Sequence, residues 1–345
     1  GDLMKKFICL ALAGAMCLSF AGCNKKHTED QPDNNDNNVV TEPDEKVSEF
    51  YAKMEESDSR PIAVMIDNDG DYKGPHSGLE NAYLIYEAYV EGGGTRMMAL
   101  FNGDFMTDDE KAERIGPVRS SRHYFLDFAI ENDAIYAHCG FSPQAQSEIS
   151  SRGVNNINGL YESAPFERYS EYNKSWHNLY TSYAKLKTAA DSHKYRETTD
   201  EKLLYAKNIE DLSDGTAATE ISIPYSLYTM SYTYDAEKGV YMRFKKGAPH
   251  TMQSGVQLSF ENVVILRMQN SNLNDGSGKG RQDLADTGTG SGTYITNGKS
   301  VPIAWKKADR SARCHLYFEN GDEVELNPGK TFIQIVPNDM NVTIS

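Results

Sequence analysis

The sequence predicts an α+β protein, with a mixed α/β domain followed by a mainly antiparallel β domain. Two observations support this division of the 345 residues. Between about 58 and 205, short apolar runs alternate with segments in which apolar residues recur at helical spacing. From Glu220 onward, β-type runs follow one another between turn signals, and no helical period interrupts them.

The region up to residue 57 is predicted to bring the protein to the membrane. Met4-Lys5-Lys6 and the apolar run from Phe7 to Phe20 resemble a secretory signal and are short for a membrane span. The small residues before Cys23 resemble a lipobox, so Cys23 is predicted to be lipidated; a plain signal peptide with an incidental cysteine is the alternative. We assign 1–22 to the signal peptide and 23–57 to the lipidated cysteine and a disordered polar tether.

The first folded domain is predicted to span 58–205. Gly92-Gly93-Gly94 separates two apolar runs and favours a hairpin between them. Ser121 is predicted to cap a helix that runs through Ile130, and Ser142-Pro143 to begin another. The predicted strands are Ile62 to Asp67, Leu84 to Val90, Arg96 to Phe101 and Ala134 to His138, and a last helix is predicted from Tyr183 to Lys194.

The second domain is predicted to span 206–345 and to consist mainly of strands. Asn297-Gly298 and Asn320-Gly321 have the composition of hairpin turns. Gly276 to Gly280 and Gly288 to Gly292 are predicted to be flexible surface connections. The first of them is not a phosphate-binding loop, because Lys279 is followed by glycine instead of serine or threonine.

Composition and cysteine content narrow the classes of partner. The formal net charge of −15 argues against binding nucleic acid through its phosphates, which requires a basic face. Outside the predicted signal and lipidation site only Cys139 and Cys314 remain; we expect two separate thiols, and a disulfide between them is the alternative. No CxxC pair is present, which excludes a zinc ribbon, and we expect no metal and no cofactor.

The stretch from Val90 to Arg122 is the strongest candidate for a binding site. Its glycines let the backbone approach a ligand closely, and its arginines suit carboxylate or phosphate groups. Ligand-binding residues are predicted to be Arg96, Arg119, Arg122, His138 and His177. The alternative is an internal ion-pair network in which these arginines meet the acidic side chains Glu87, Glu91 and Glu113.

Acid–base chemistry in the same region is an open alternative. The candidate catalytic residues are Asp67, Glu87, Glu91 and His138. Asp67 ends a predicted strand beside a loop, where reactive groups are common. Ser120 and Ser121 lack the pattern of a nucleophile elbow, so a serine hydrolase is not expected. No spacing of these residues specifies a reaction.

Several motifs together resemble those of the YerB-like lipoproteins of Gram-positive bacteria, a family whose domain has no assigned function. The similarity covers about 60–337. The motifs are Arg60 to Asn68, Ser77-Gly78-Leu79, Tyr86-Glu87, Val90 to Arg96, Arg114 to Arg122, His138, Ser142 to Ala145, His177 to Ser182, Pro249-His250, Gly255 to Leu258, Trp305-Lys306 and Pro328-Gly329. The resemblance implies a two-part extracytoplasmic lipoprotein and no established reaction.

The function expected from the sequence is therefore that of a lipid-anchored protein on the extracytoplasmic face of the cell membrane. We expect it to bind an anionic or sugar-containing ligand of the cell wall or envelope in a pocket of Arg, His and Glu side chains. A hydrolase or transferase acting on an envelope substrate is one alternative, and a protein–protein scaffold at the membrane surface is another. Nucleic acid is not an expected partner.

Overall fold

Strands from both halves of the chain align in one large mixed sheet. The computed structural model describes residues 47–68, 74–172 and 176–345, so the predicted signal peptide, Cys23 and most of the predicted tether lie outside the described residues. The helices are α1 Glu49–Glu56, α2 Asp108–Ala112, α3 His123–Glu131, α4 Pro143–Ser151 and α5 Tyr183–Ser192. No helix among the described residues is long and apolar enough to cross a membrane.

The strands of the first half are β1 Ile62–Asp67, β2 Leu84–Tyr89, β3 Thr95–Phe101, β4 Ile135–His138, β5 Asn156–Asn158, β6 Glu167–Arg168 and β7 Leu179–Tyr180. The strands of the second half are β8 Thr216–Ala217, β9 Glu220–Pro224, β10 Thr229–Asp235, β11 Val240–Lys245, β12 Ala248–Pro249, β13 Ser259–Phe260, β14 Asn262–Arg267, β15 Gln269–Asn272, β16 Gln282–Ala285, β17 Gly288–Thr296, β18 Lys299–Lys307, β19 His315–Phe318, β20 Thr331–Val336 and β21 Thr343–Ile344.

The large sheet has the order β19-β18-β17-β14-β20-β2-β3-β1-β4-β5, and β8 pairs with β18. The two halves meet where β20 lies parallel to β2, with Gln334 opposite Glu87. A smaller antiparallel sheet has the order β12-β11-β10-β9-β21, with β13 beside β11. The predicted α+β class, a mixed first region and a mostly antiparallel second region, is confirmed.

Both faces of the large sheet are buried at its central strands β1, β3 and β20. One face packs against the smaller sheet, where Val64 of β1 and the aromatic rings of Tyr232 and Phe260 share one apolar core. The other face packs against α3, and its core includes Met65 and Phe125. Alternation of side chains along each strand divides the residues between these two faces. The division matters for the polar residues at the end of β1, which follow the same alternation.

The glycine-rich turn joins two strands as predicted. β2 and β3 pair antiparallel, with Tyr89 opposite Thr95. Gly92 and Gly93 have φ values of 72° and 76°, in the left-handed region that glycine adopts without steric cost. Two further predictions are confirmed: α4 begins with Ser142 as its cap and Pro143 in its first turn, and the last predicted helix is α5, which begins at Tyr183 and ends at Ser192, two residues before the predicted end at Lys194.

Two local predictions are wrong. The cap of α3 is Arg122, because the hydroxyl of Ser121 instead accepts a hydrogen bond from Tyr136 at 2.9 Å. Gly288 to Gly292 is not a loop but the first part of β17, paired with β18. Glycine is needed there because a Cβ at Gly290 would collide with the ring of Trp305.

The predicted tether also ends too late. It includes residues 49–56, whereas these residues form α1. The ring of Phe50 lies 5.6 Å from that of Phe105 and 5.1 Å from that of Tyr205, and Met54 is buried. The apolar side chains of this helix therefore have partners that the short sequence window did not reveal. Cys139 and Cys314 form no disulfide, as expected.

Candidate functional site

The site begins where β1 ends and β3 begins. Asp67 is the last residue of β1 and lies directly opposite Arg96 of β3 in the antiparallel register. Residues directly opposite each other project to the same face of a sheet, here the face covered by α3. The glycine turn after β2 brings Glu91 beside them, within 3.9 Å of the Arg96 guanidinium.

The segment that precedes α3 adds the other two arginines. The main-chain nitrogen of Arg119 donates to the carbonyl of Met65 at 2.9 Å, and that of Asp67 donates to the carbonyl of Pro117 at 2.8 Å. This segment therefore runs as an extra strand along the end of β1. It places Arg119 beside Asp67, and Arg122 at the first turn of α3. We call Asp67, Glu91, Arg96, Arg119 and Arg122 the arginine cluster.

Each guanidinium nitrogen of Arg122 donates a hydrogen bond. Its Nε donates to Glu91 Oε2 at 2.8 Å, its Nη2 donates to Glu91 Oε1, and its Nη1 donates to the carbonyl of Ser121 at 2.7 Å. A forked pair of this kind is the strong form of an Arg–carboxylate contact. Arg122 therefore holds the glycine turn against α3.

Arg96 is engaged only in part. Its Nη1 donates to the carbonyl of Ser120 at 2.8 Å, while its Nη2 lies 3.9 Å from Glu91, beyond hydrogen-bond distance. Its Nε is buried and has no hydrogen-bond acceptor among the described residues. Arg96 as a whole is only 5% exposed. A buried guanidinium with an unused donor is costly unless something else meets it.

Arg119 connects the cluster to His177. Its Nε lies 3.2 Å from Asp67 Oδ2, and its Nη2 lies 3.5 Å from His177 Nε2. The Nδ1 of His177 lies 2.5 Å from Asp67 Oδ2, and the indole nitrogen of Trp176 donates to His177 Nε2 at 3.0 Å. Because the indole N–H can only donate, His177 Nε2 accepts and the ring proton sits on Nδ1, directed at Asp67.

The electrostatics of the cluster favour an additional negative charge. Burial alone would raise the pKa of Glu91, but the hydrogen bonds and charge of Arg122, helped by Arg96, lower that pKa to about 2. Burial lowers the pKa of Arg96 to about 10, and the positive charge of Arg122 acts in the same direction. The five residues of the arginine cluster set three guanidinium groups against two carboxylates, an excess of one positive charge among them.

A second polar group lies on the opposite face of the same sheet end. The two oxygens of Glu87 accept hydrogen bonds from Asn68 at 2.7 Å, Thr95 at 2.5 Å, Arg243 at 2.5 Å and Gln334 at 2.9 Å. Glu87 and Arg243 are both 0% exposed. A carboxylate with four donors and no contact with solvent is built to hold two sheets together and is badly placed to exchange protons with a substrate.

This second group is linked to the arginine cluster by two histidines. Arg243 Nη1 contacts His250 Nδ1, His250 Nε2 lies 2.6 Å from His76 Nδ1, and His76 Nε2 lies 2.6 Å from the carbonyl of Asp67. These three contacts are consistent with two neutral rings. Arg243 then donates to His250, His250 donates to His76, and His76 donates to the carbonyl of Asp67. The smaller sheet thus supports the main chain of Asp67.

Two family models match this chain. A model described as "Protein of unknown function (DUF3048) N-terminal domain" matches residues 50–196, and the corresponding C-terminal domain model matches residues 221–333. The chain belongs to the DUF3048 family. "Putative lipoprotein YerB" of Bacillus subtilis (strain 168) is 28% identical over 288 residues, which is 82% of each chain. A crystal structure of YerB protein from Bacillus subtilis has a TM-score of 0.70 at 28% identity, covering 83% of this chain and 94% of that one.

The resemblance to YerB-like proteins is therefore confirmed, while the family's description assigns no activity to the site. In this DUF3048 chain, the predicted residues Asp67, Glu91, Arg96, Arg119, Arg122 and His177 come together. His138 and Glu87 lie apart from them. His138 is fully buried, with Nδ1 2.8 Å from the carbonyl of Gly140 and Nε2 3.3 Å from Asn156. Burial lowers the pKa of His138, against the effect of these two bonds.

Sequence reasoning did not single out Trp176, His76, Arg243 or His250 for the site. Arg243 lies 156 positions from Glu87, and no local spacing joins them. The adjacency of Trp176 to His177 was the one available signal for the indole. Within the parts of the chain that the structure describes, no three His, Cys, Asp or Glu side chains are grouped so that they could hold a metal ion.

Proposed function

We propose that this protein is a lipid-anchored binding protein of the extracytoplasmic membrane face, and that its arginine cluster binds an anionic ligand of the envelope. The observation that carries this proposal is Arg96, which is 5% exposed and has an Nε without an acceptor among the described residues. A ligand carboxylate or phosphate at that nitrogen would satisfy the donor and balance the excess positive charge.

The other arginines define the limits of such a site. All three guanidinium nitrogens of Arg122 donate to Glu91 or Ser121. Arg119 still has 18% of its side chain exposed, and its Nε lies 3.2 Å from Asp67 Oδ2 without the geometry of a hydrogen bond. An anion between Arg96 and Arg119 would therefore receive donors from two directions. Because the whole chain carries a net charge of −15, this local positive excess is also what would attract a small anion selectively to one place.

The membrane part of the proposal rests on the sequence around Cys23 and on the name of the relative. Phe20-Ala21-Gly22-Cys23 resembles a lipobox, and the Bacillus subtilis relative bears the name of a lipoprotein. Lipidation of Cys23 would attach the chain to the outer leaflet of the cell membrane, and the polar residues after it would separate the folded part from the surface. One acyl chain binds only marginally, so firm anchorage requires several.

Binding of small anions by Arg96→Lys tests the site. The substitution keeps the charge but removes Nε and the planar fork, so a charge-assisted bond worth about 1.5–3 kcal/mol is lost. We expect inorganic phosphate or acetate to bind roughly ten- to a hundredfold more weakly than to the wild type in titration calorimetry at low salt.

The matched control is Arg196→Lys, which changes an exposed arginine paired with Asp133, outside the cluster. It should bind both anions like the wild type. Arg119→Ala is a second site variant in a less buried position, for use if Arg96→Lys does not fold. Equal affinity of the wild type and both site variants for phosphate and acetate would contradict the proposal.

A hydrolase is the second candidate, and the Asp67–His177 pair favours it. A buried carboxylate that orients His Nδ1 leaves Nε2 as the ring nitrogen that can accept a proton from water or a hydroxyl group. At present Nε2 accepts from Trp176, so that indole would have to turn away during a reaction.

Envelope fragments incubated with the wild type and His177→Gln would separate the two candidates when analysed by mass spectrometry. A hydrolase should release products that the variant does not release, while both proteins bind phosphate. A binding protein should leave the fragments unchanged in both samples.

A further inference from the structure

Trp176 is an exposed aromatic side chain held in a fixed position beside the arginine cluster. It is 68% exposed, yet its indole nitrogen donates to His177 Nε2 at 3.0 Å. Its carbonyl accepts a hydrogen bond from Arg168 at 3.2 Å. The guanidinium carbon of Arg119 lies 5.9 Å from the centre of its ring. His177 and Arg119 contact the ring itself and Arg168 holds the main chain, while much of the ring surface remains in contact with solvent.

The exposed ring is linked to Arg96 by a short series of contacts. Trp176 contacts His177 and Arg119, both of these contact Asp67, and Asp67 lies directly opposite Arg96 on the neighbouring strand. Other large apolar side chains are exposed among the described residues, namely Val47, Leu160, Tyr161, Leu204, Ile209, Leu227 and Val256. None of these has a described contact with the arginine cluster.

This arrangement matches a ligand with an acidic group and one small apolar face. An apolar chain such as a lipid tail would need a larger continuous apolar surface than one indole. A pyranose ring has C–H groups on its face and hydroxyl groups around its rim, so it can lie on an aromatic ring while its hydroxyls stay hydrogen-bonded. In such a ligand, a carboxylate or phosphate on the same sugar is the group that would pair with the unused donor of Arg96.

We propose that the arginine cluster and Trp176 together form a subsite for an acidic saccharide, in which the sugar face lies on the indole and the acidic group meets Arg96. This proposal rests on the anion site described above and adds the chemical class of the ligand. Trp176 is a binding residue in it, and its hydrogen bond to His177 fixes the angle of the ring.

Calorimetric titration with D-glucuronate, D-glucose, inorganic phosphate and AMP tests the subsite. The wild type should bind glucuronate more tightly than phosphate or glucose, because only glucuronate uses both parts of the subsite. Trp176→Ala should bind glucuronate about tenfold more weakly and phosphate within about twofold of the wild type. Trp176→Phe keeps a ring at the position and should retain most of the affinity for glucuronate.

Tryptophan fluorescence gives a second readout, since the chain has only two tryptophans and Trp305 is 2% exposed. Glucuronate should change the emission of the wild type and not that of Trp176→Ala. Tyr161→Ala removes a 72% exposed aromatic ring and is the control, expected to bind glucuronate like the wild type.

Three other outcomes would each contradict either the saccharide subsite or the anion site on which it rests. Unchanged glucuronate affinity in Trp176→Ala, with phosphate still bound, would remove the saccharide subsite and leave the anion site. Binding of AMP that depends on Trp176, without binding of glucuronate, would overturn the saccharide class. Absence of phosphate and glucuronate binding in the wild type would instead overturn the proposed function itself.

Discussion

The three arginines of the cluster differ in what their nitrogens contact. The three guanidinium nitrogens of Arg122 donate to Glu91 or to Ser121, so this residue holds neighbouring segments together. Arg96 uses one nitrogen on Ser120 and leaves Nε without an acceptor among the described residues. The same residue type thus has two roles within one cluster, and only the contacts of individual atoms distinguish them.

Asp286 is one of the other described residues with a buried polar atom that has no hydrogen-bond partner, and it lies far along the chain from the cluster. It is 3% exposed, and its Oδ2 has no hydrogen-bond partner among the described residues. Burial raises its pKa to about 7, the nearby charge of Asp127 acts in the same direction, and Lys307 opposes both. Asp286 is therefore largely protonated in the folded protein under mildly acidic conditions.

The pH dependence of stability should report this residue. Its pKa is higher in the folded protein than in the unfolded chain, so ionisation of Asp286 progressively disfavours folding as pH rises from about 4 to about 7. Asp286→Asn cannot ionise. Between these pH values, the free energy of unfolding of the wild type, measured with urea, should fall by roughly 2–4 kcal/mol more than that of Asp286→Asn.

The control for this measurement is Asp322→Asn in an exposed turn, whose stability should follow the wild type at every pH. Parallel pH–stability curves for the wild type and Asp286→Asn would contradict the assignment of a raised pKa to Asp286.

Strands β2 and β11 are connected by one buried ion pair. Glu87 of β2 and Arg243 of β11 belong to different sheets, and the Arg243 guanidinium also lies 4.7 Å from the ring centre of Phe332. Because both side chains are fully buried, each depends on the other for its charge to be tolerated. This contact fixes the smaller sheet over the end of β2, next to the arginine cluster.

Arg243→Met should therefore destabilise the fold strongly. Removing one partner leaves Glu87 charged and buried, which costs about 3–5 kcal/mol in urea unfolding at neutral pH. The double variant Arg243→Met with Glu87→Gln should recover part of that loss. Lys187→Met removes an exposed partner of Asp191 and should cost less than about 1 kcal/mol. A loss for Arg243→Met as small as that for Lys187→Met would contradict this role.

Local elements could be predicted from the sequence because their signals are local. The hairpin of β2 and β3 follows from three glycines between two apolar runs, and Ser142-Pro143 begins α4 as such a pair usually does. Arg96, Arg119 and Arg122 could also be grouped in advance, since all three lie within the stretch from Val90 to Arg122. The start of β17 was missed because its glycines signalled a loop, although one of them, Gly290, makes room for Trp305.

The remaining residues of the site depend on long-range pairing and had no local signal. Arg243 and His250 are neighbours within the smaller sheet, and they meet Glu87 and His76 only because that sheet packs on the large one. His138 was an attractive candidate at a strand end, yet its ring is buried against Gly140 and Asn156. Which polar residue of a strand faces a site depends on register, and register is set by the whole sheet.

At the scale of the whole molecule, the two halves share a sheet. β20 from the second half lies between β14 of its own half and β2 of the first, so the sheet continues from one half into the other. The domain boundary at 205/206 stays a prediction, and we propose it as a division of the sequence only, because hydrogen bonds of the sheet join the two halves. Truncation at that point would remove β20, the strand that pairs with β2 beside Glu87.

Attachment to the membrane is tested by Cys23→Ser. The substitution removes the thiol that would be lipidated, while Cys23 lies outside the described residues and outside the family matches, which begin at residue 50. We expect the variant to leave the membrane fraction and appear in the soluble fraction with unchanged unfolding behaviour. Unchanged partitioning into the membrane fraction would contradict the lipoprotein assignment.

The most direct test of the central claim is to locate an anion in crystals of the folded part. Selenate is a phosphate-like anion whose selenium scatters anomalously, so its position can be seen independently of any assumption about the ligand. We expect an anomalous peak within hydrogen-bond distance of Arg96 Nε and next to Arg119, absent in crystals of Arg96→Lys. Selenate bound only to surface lysines, with nothing beside Arg96, would contradict the assignment of the arginine cluster as an anion site.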